Sequence, residues 1–339
     1  MIKIILVACR YELPPLLAQD RYTNSEATRF MRLYDFPGRI RQITNRSTRT
    51  EARIPDVPLL FMHIPKTSGS ALAKAFREAL MPRRAAIGLD RVLFGSFKAF
   101  GTMAPELRRQ VYLDPADLPT EAEFVSGHIS FSTLQMGYPN ARYVTFLREP
   151  FSRMLSFWLY WRSLSDDELR PWGEWREFVH KARRPLIDFL SDKEIACPTD
   201  NLYVRMLLWP NNLLPDNDFI DKRHDKAIIR LATGRLKQFS YVDVIENPSF
   251  QANLRAWLGR PFVYSSENET KPIPRLLSLR LHAELTPATL DLLRARTRLD
   301  LRLWTTLARQ WVSQVGAETL REFILLRNVA RYSSILQGG

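Results

Sequence analysis

The 339-residue sequence contains only two cysteines, Cys9 and Cys197, which lie far apart in the chain. Such a pair forms neither a disulfide framework nor a zinc-binding pattern, so a reducing compartment is expected. Long hydrophobic runs are also missing, because the apolar segment 1–9 ends at Arg10 and is too short to span a membrane. That segment is more typical of a buried strand than of a signal peptide. These absences predict a soluble, cytoplasmic protein.

Two common phosphate-binding motifs are absent as well. No G-x-x-x-x-G-K-[ST] run occurs, which argues against an ordinary nucleoside-triphosphate loop with a hydroxyl ligand for magnesium. No glycines stand in the G-x-G-x-x-G arrangement either, which argues against a dinucleotide-binding fold. If the chain binds phosphate, it must do so through a different loop.

The sequence carries an excess of positive charge. Lysine and arginine together number 49 against 36 acidic residues, which gives a formal net charge of +13. This excess predicts attraction to anions, such as a nucleotide cofactor, an acidic glycan, a lipid surface or a nucleic acid. Charge alone does not choose among them, and a solvated basic face is the alternative.

Strand-like runs alternate with helical patterns along most of the chain. The predicted strands are 59–64, 124–126, 143–147 and 241–245, and the predicted helices include 150–162, 174–181 and a long one that opens at Thr286-Pro287. This alternation predicts an α/β fold with a parallel sheet that is flanked by helices on both faces. We expect an N-terminal extension with a short strand over 1–56, the main domain over 57–312 and a helical tail over 313–339.

The segment 59–70 predicts a phosphate-binding turn. Apolar residues run up to Ile64, Pro65 ends the strand, and helix-forming residues follow from Ser70. The free amides of a helix start, the helix dipole and the ammonium group of Lys66 would converge on one anion. A strand-turn-helix with an incidental lysine is the alternative.

The segment 141–156 predicts a second anion-binding position. A strand again ends in a charged turn, and Pro150 suits the first position of a helix. Arg148 falls at the carboxyl end of this strand, where open α/β sheets bind ligands, and its guanidinium suits a bidentate grip on phosphate. Ser156 lies eight residues further on and can face the same group. A structural ion pair from Arg148 to Glu149 or to a helix carboxylate is the alternative.

Together the two segments resemble those of the PAPS-dependent sulfotransferases, in particular the carbohydrate branch that includes heparan sulfate 2-O-sulfotransferase. His63-Ile64-Pro65-Lys66-Thr67-Ser68-Gly69-Ser70 is similar to the 5′-phosphosulfate loop, and Arg148-Glu149-Pro150 with Arg153 and Ser156 is similar to the 3′-phosphate motif. The resemblance spans roughly 57–308 and implies the P-loop-containing nucleotide-hydrolase-like sulfotransferase fold. It also implies that the cofactor is bound by Lys66, Thr67, Ser68, Gly69, Ser70, Arg148 and Ser156. The branch usually has Gly-Gly where this chain has Ser68-Gly69.

His128 is the candidate catalytic base. It follows Gly127 at the end of a predicted strand, and an imidazole there suits removal of a proton from a sugar hydroxyl. The resemblance implies this role, since the branch has Gly-His-Val-Ser-Tyr at the matching place. It has a second histidine where this chain has Ser126. A structural hydrogen-bonding histidine is the alternative.

Three further residues are implied by the resemblance. Asn201 and Arg205 match an Asn-x-x-x-Arg stretch that borders the acceptor site of the branch; the alternative is an amphipathic helix with Arg205 paired on its surface. Lys271, in the polar loop 268–272, falls where the family closes a loop over the nucleotide, and a solvated lysine is the alternative there.

The resemblance implies transfer of the sulfuryl group of PAPS to a carbohydrate or glycoconjugate hydroxyl, with Lys66 at the leaving phosphate and no metal required. The absence of a Golgi-type anchor suggests a bacterial or otherwise cytoplasmic enzyme, and the basic surface suits an acidic or membrane-associated acceptor.

Other classes of function remain open. Asp216-Asn217-Asp218 is an Asp-x-Asp of the kind that metal-dependent glycosyltransferases use. A small-molecule kinase is another alternative, because kinases also bind phosphate at a loop between a strand and a helix. A basic protein that binds glycan or nucleic acid without chemistry is the third class. Nucleic acid is not the expected partner, because the basic residues are dispersed and no RNA-recognition signature or zinc finger is found.

Overall fold

The structure is a computed structural model that describes residues 57–264 and 271–337. Its centre is a six-stranded β-sheet. All adjacent strands are parallel, and their spatial order is β3-β2-β4-β1-β5-β6. The strands are β1 Leu59–Met62, β2 Ala85–Asp90, β3 Val111–Tyr112, β4 Phe124–His128, β5 Arg142–Leu147 and β6 Tyr241–Val244. The strand predicted over 1–9 and the extension over 1–56 lie outside the described residues.

Helices cover the sheet and build out the rest of the described chain. In chain order they are α1 Gly69–Leu80, α2 Pro105–Arg108, α3 Phe131–Gly137, α4 Pro150–Ser163, α5 Asp166–Leu169, α6 Trp175–His180, α7 Leu186–Ser191, α8 Ala196–Thr199, α9 Leu202–Leu208, α10 Asp225–Leu236, α11 Phe250–Leu258, α12 Leu281–Glu284, α13 Pro287–Ala308 and α14 Gln314–Leu336. Within the described ranges, no helix combines the length and the apolar character that crossing a membrane requires.

The α/β architecture with a parallel sheet between helices is confirmed. Each of the four predicted strands is present, with ends that differ by one to two residues from the prediction. The predicted start of α13 is also confirmed, because the Thr286 hydroxyl caps this helix by accepting the Thr289 amide at 3.2 Å. Strands β2 and β3 were not predicted.

Both faces of the sheet are buried, and the alternation of side chains in β1 shows why. Leu60 and Met62 point into one apolar cluster, which includes residues of α3, α9, α10 and α13. Leu59 and Phe61 point into the other, with residues of α1 and α11. Since side chains alternate along a strand, a sheet covered on both sides needs a continuous apolar run. The sequence of β1 supplies that run.

The order of the strands opens a crevice between β1 and β5. The chain leaves β1 and passes over β4 to reach β2, whereas it leaves β5 in the opposite direction to reach β6. At such a reversal the two connections diverge, and a cleft forms at the carboxyl ends of the strands. The loops that contain Lys66 and Arg148 follow β1 and β5 and therefore border this crevice.

Close packing of β4 against β2 depends on Gly127. A Cβ atom at this position would lie 1.9 Å from the carbonyl oxygen of Gly88, a backbone atom of the neighbouring strand. We therefore expect Gly127→Ala to lower the free energy of unfolding by about 1–3 kcal/mol, measured by denaturant titration. The matched control is Gly234→Ala in α10, where a Cβ meets nothing within 4 Å and should stabilise the helix by about 0.5–1 kcal/mol. Equal effects of the two substitutions would contradict this account.

Candidate functional site

The β1–α1 loop turns sharply through two residues with positive φ. Lys66 has φ 67° and Ser68 has φ 62°, a backbone region that costs a non-glycine residue about 1–2 kcal/mol. The buried Thr67 between them fixes the turn, because its hydroxyl donates to the Ile64 carbonyl oxygen at 2.8 Å. Strained conformations of this kind are concentrated at ligand-binding turns. The loop therefore has the strained backbone that ligand-binding turns share, and phosphate binding by it stays a prediction.

The first turn of α1 faces the same crevice. Ser68 is the N-cap residue, and within the described chain its side chain makes no capping hydrogen bond. The amides of Gly69 and Ser70 are therefore at the open end of the helix dipole, where an anion is stabilised. Gly69 leaves room for a neighbour, since a Cβ there would lie 1.7 Å from Cδ2 of His63. The His63 imidazole thus packs directly against the start of α1.

Arg148 joins the two loops of the crevice. It follows the last residue of β5, and its guanidinium Nη1 donates to the Lys66 carbonyl oxygen at 3.1 Å. Its Nη2 donates to the Tyr332 hydroxyl at 2.8 Å. The backbone of Arg148 is held by Tyr203, whose hydroxyl donates to the Arg148 carbonyl oxygen at 2.5 Å. The structure therefore brings Arg148 and Lys66 together, as the two-motif interpretation requires.

The ammonium group of Lys66 lies in an environment that weakens its hold on a proton. Burial, and then the positive charges of Arg148 and Arg331, lower the pKa of Lys66 to about 8. Its Nζ lies 4.3 Å from the centre of the Tyr160 ring, a cation–π contact. An anion in the crevice would relieve this repulsion between cations, so the site favours an anionic ligand.

His128 and His63 lie side by side at the end of β4 and β1. Their ring centroids are 4.3 Å apart, and His128 Nδ1 lies 2.6 Å from the His63 carbonyl oxygen. Burial lowers the pKa of His128 to about 4, and burial together with the charges of His128 and Lys66 holds the pKa of His63 well below its usual range. Both imidazoles are therefore neutral near pH 7.

The tautomer of His128 follows from its partner. A carbonyl oxygen only accepts, so Nδ1 carries the hydrogen and donates it to His63, which leaves Nε2 with a free lone pair. The segment just after His128 is held by Asp90 at the end of β2, whose carboxylate accepts the amides of Ser130 at 2.7 Å and Val92 at 2.9 Å. His128 is thus fixed in a form that can take up a proton.

One face of α4 lines the crevice. The Ser152 carbonyl oxygen accepts from the Tyr332 hydroxyl at 3.3 Å, and Tyr160 lies under the Lys66 ammonium group. Ser156 stands midway between them, four residues from each, so all three share one side of the helix. Ser156 is buried. The predicted cofactor serine therefore lies on α4 between the contact with Tyr332 and Tyr160, and its contact with a cofactor stays a prediction.

Two buried carboxylates lie behind Arg148. Glu149 caps α4 by accepting the amides of Phe151 at 3.2 Å and Ser152 at 2.7 Å. Glu246 accepts the Glu149 amide at 2.8 Å, and burial raises its pKa to about 7. Glu149 is therefore bonded to the start of α4 and pairs with Arg321, and within the described residues no ion pair joins it to Arg148. The carboxylate whose charge acts on Arg148 is Glu246.

Lys271 lies at the exposed rim of the site. Its ammonium group forms an ion pair with Glu168, and both charges act on the Tyr160 hydroxyl. Lys271 is the first described residue after the gap at 265–270. Its connection to the site runs through Tyr160, which contacts Lys66, and a contact of Lys271 with the nucleotide stays a prediction.

Asn201 and Arg205 lie in the interior. Arg205 is 1% exposed and donates to the Asp200 carboxylate at 3.1 Å and to the carbonyl oxygens of Asp200, Pro215 and Asp218. The Asn201 side chain is fully buried, donates to Asp200 and accepts the Leu299 amide at 2.8 Å. These contacts hold α9 against α13 and the 215–218 turn. A direct contact with an acceptor stays a prediction for both residues.

The Asp216-Asn217-Asp218 segment serves as a partner for other side chains. The Asp216 carbonyl oxygen accepts from the Cys197 thiol, and the Asp218 carboxylate pairs with Lys193 at 3.0 Å. Across the described ranges, no group of three or more His, Cys, Asp or Glu residues is arranged to hold a metal ion.

Three residues of the site were not predicted. His63 could have been found from the sequence, because it stands at the end of a buried strand, two residues before Pro65. Tyr160 could also have been found from the sequence, since it stands one helical turn after Ser156. Tyr160 is 41% exposed, whereas the neighbouring Trp158, Trp161 and Trp175 are buried. Nothing in the sequence pointed to Tyr332, because it lies 184 residues from Arg148, the residue that it contacts.

No model of a known protein family matches the chain, and no curated protein sequence shows significant similarity to it.

The lowered pKa of Lys66 is directly measurable. We expect half-maximal labelling of Lys66 by an amine-reactive reagent near pH 8, against about 10.4 for an ordinary lysine. Only the neutral amine reacts, so labelling rises as the pH passes the pKa. Mass spectrometry of the labelled peptide gives the profile, and the signal should vanish in Lys66→Arg. A midpoint near pH 10.5 would rule out the electrostatic description of the crevice.

The interior position of Arg205 leads to a prediction about stability. Arg205→Ala leaves the fully buried Asp200 carboxylate without its main counter-charge, so we expect a loss of about 3–5 kcal/mol in the free energy of unfolding. The double variant Asp200→Asn/Arg205→Met should lose less, because it removes both members of the buried pair, and Arg296 loses only a more distant contact with Asp200 at 3.7 Å. An unchanged unfolding midpoint in Arg205→Ala would contradict a structural role.

Proposed function

We propose that the protein is a sulfotransferase that moves the sulfuryl group of PAPS to a hydroxyl of a carbohydrate or glycoconjugate acceptor. The observation that carries this proposal is the convergence of Lys66, Arg148 and a neutral His128 on one crevice at the carboxyl ends of β1, β4 and β5. The central strand, turn and helix also support the P-loop-like sulfotransferase fold as the finer description of the architecture.

The two cationic positions match the two anionic ends of PAPS. In this proposal Lys66 and the loop 67–70 bind the 5′-phosphosulfate, with backbone amides at the start of α1 as donors. Arg148 and Ser156 bind the 3′-phosphate. Lys271 lies at the rim, on the side from which the nucleotide would be covered.

The proposed reaction is an in-line displacement at sulfur. The acceptor hydroxyl oxygen forms the new bond to sulfur while the bond from sulfur to the bridging oxygen of the 5′-phosphate breaks. The hydroxyl proton passes to Nε2 of His128. The bridging oxygen takes up the electron pair, and 3′-phosphoadenosine 5′-phosphate (PAP) leaves with its growing negative charge opposite the ammonium group of Lys66.

The low pKa of His128 in the empty crevice is compatible with a base. Burial and the charge of Lys66 oppose the protonated imidazole, but the negative charge of the bound donor offsets that repulsion and stabilises the imidazolium that forms. The carbohydrate branch has a second histidine at the position of Ser126. In this chain His63, from the neighbouring strand, occupies the space beside His128 and fixes its tautomer through its carbonyl oxygen.

The acceptor class rests on the family resemblance and on one aromatic residue. Tyr160 is the partly exposed ring beside Lys66, and such a ring is suited to pack against a sugar. The net positive charge favours an acidic or membrane-associated acceptor. The cytoplasm is the proposed compartment, an expectation that rests on the low cysteine content.

Calorimetry with PAP, followed by transfer from labelled PAPS to a panel of glycans and glycolipids, tests the proposal. We expect PAP to bind and a labelled, sulfated product to form. Binding of ATP with magnesium or of a sugar nucleotide in place of PAP would favour a kinase or a glycosyltransferase. Failure of PAP to bind would overturn the proposal.

Two variants separate donor binding from proton transfer. With the acceptor found above, we expect His128→Ala to lose about 10²–10⁴ in kcat while it still binds PAP, and Lys66→Ala to lose about 10²–10³. The matched controls are His282→Ala and Lys98→Ala, two exposed residues outside the crevice, which should keep full activity. If His128→Ala retains a near-normal kcat, His128 is not the base.

A further inference from the structure

The C-terminal helix α14 reaches the crevice, although the motifs that predicted the site end before it begins. It packs along α4, the helix that contains Ser152 and Ser156. Tyr332 lies near its end and is 2% exposed, so its hydroxyl is placed in the interior of the protein. A buried hydroxyl needs partners, and those it has belong to the anion-binding region.

The Tyr332 hydroxyl both accepts and donates. It accepts from Arg148 Nη2 at 2.8 Å and donates to the Ser152 carbonyl oxygen at 3.3 Å. The second bond orients the hydroxyl, because the carbonyl oxygen can only accept the single phenolic hydrogen. The lone pairs of the phenol are therefore directed towards Arg148. A phenylalanine would fill the same space without providing either bond.

Two uncharged acceptors fix the plane of the Arg148 guanidinium. Nη1 donates to the Lys66 carbonyl oxygen and Nη2 to Tyr332. Among the described residues these bonds use two of the five guanidinium N–H donors, and the others are available to an anion. Because a carbonyl and a phenol carry no charge, these two partners orient the guanidinium without neutralising it. The carboxylate whose charge acts on Arg148 is Glu246, and burial raises the pKa of that carboxyl to about 7, which weakens its negative charge. A carboxylate in the place of Tyr332 would cancel the charge that an anion needs.

The same helix neutralises the carboxylate next to Arg148. Arg321 Nε donates to Glu149 Oε1 at 3.2 Å, and its guanidinium lies over the Phe151 ring. Glu149 is fully buried at the start of α4. With Arg321 as its counter-charge, Glu149 does not compete for the neighbouring arginine. The positive charge of Arg331 also acts on Lys66.

We propose that Tyr332 is a positioning residue for Arg148 and that α14 thereby forms part of the nucleotide-binding site. The inference rests on the proposed function, because Arg148 is assigned there to the 3′-phosphate. Tyr332 acts through Arg148 and does not itself touch the nucleotide. Its effect should therefore be confined to the contribution of the 3′-phosphate to binding.

The test compares two nucleotides that differ only in that phosphate. Calorimetry of the full chain gives the affinities for PAP and for adenosine 5′-monophosphate, in the wild type and in Tyr332→Phe. We expect the wild type to favour PAP, and Tyr332→Phe to reduce this preference about 10- to 100-fold, the effect of losing one hydrogen bond to a charged group. Affinity for adenosine 5′-monophosphate should stay within about twofold, because the 5′-phosphate grip is intact.

Controls make the result specific. Tyr112→Phe removes a hydroxyl from the buried Tyr112 of β3, outside the crevice, and should change neither affinity. Arg148→Lys replaces the planar guanidinium with an ammonium group that has no plane to orient. In that background Tyr332→Phe should have no further effect on the preference for PAP over adenosine 5′-monophosphate. Denaturant unfolding of each variant confirms that it is folded, and the Arg148→Lys comparison gives a second reading of the same coupling.

Each remaining outcome is decisive. If Tyr332→Phe keeps the full preference for PAP, or weakens both nucleotides equally, Tyr332 does not position Arg148. Tighter binding of PAP by Tyr332→Phe would also overturn the inference, since the hydroxyl would then compete with the ligand. If the wild type binds neither nucleotide, it is the proposed function that fails.

Discussion

The hydrogen bond from Arg148 to the Lys66 carbonyl oxygen joins the two ends of the site. It links the loop after β1 to the loop after β5, and the residue that accepts it is the one whose ammonium group faces the crevice. The positive φ of Lys66 and Ser68 gives that loop its turn. Because this bond connects both cationic positions, it favours one spacing between the two candidate anion-binding positions before any ligand arrives.

That rigidity is built on buried charge. Glu149 and Arg153 are fully buried, and among the described residues Arg153 Nε and Nη1 and Asp300 Oδ2 have no hydrogen-bond partner. Burial of such groups is costly, so the fold must retain their counter-charges. Arg321 of α14 supplies one of them. The helix that the sequence indicated only as a tail is thus required by the electrostatics of the central domain.

The features that could be predicted from the sequence are those that depend on residues close together in the chain. Strands β1 and β5, the turns that follow them and the helix starts at Gly69 and Pro150 all depend on short runs of residues, and they were predicted. Strand β2 was not, because Ala85, Ala86 and Gly88 have low strand propensity and the strand is made by pairing with β4. Tyr332 was missed for the same physical reason: a contact across 184 residues is set by tertiary packing. Arg205 shows the opposite limit of sequence-based prediction. Its Asn-x-x-x-Arg spacing suggested an acceptor-binding residue, whereas in the structure its side chain is engaged in hydrogen bonds of the protein interior.

The packing of Gly69 against the His63 imidazole has a consequence for how such a site can change in evolution. Since a Cβ at position 69 would fall inside the imidazole ring, any side chain there requires the ring to be displaced or replaced first. The two positions are therefore epistatic, because a substitution at 69 is accessible only where the His63 ring has first moved aside or been replaced. The residue that orients the candidate base also restricts which amino acids the phosphate-binding turn can adopt.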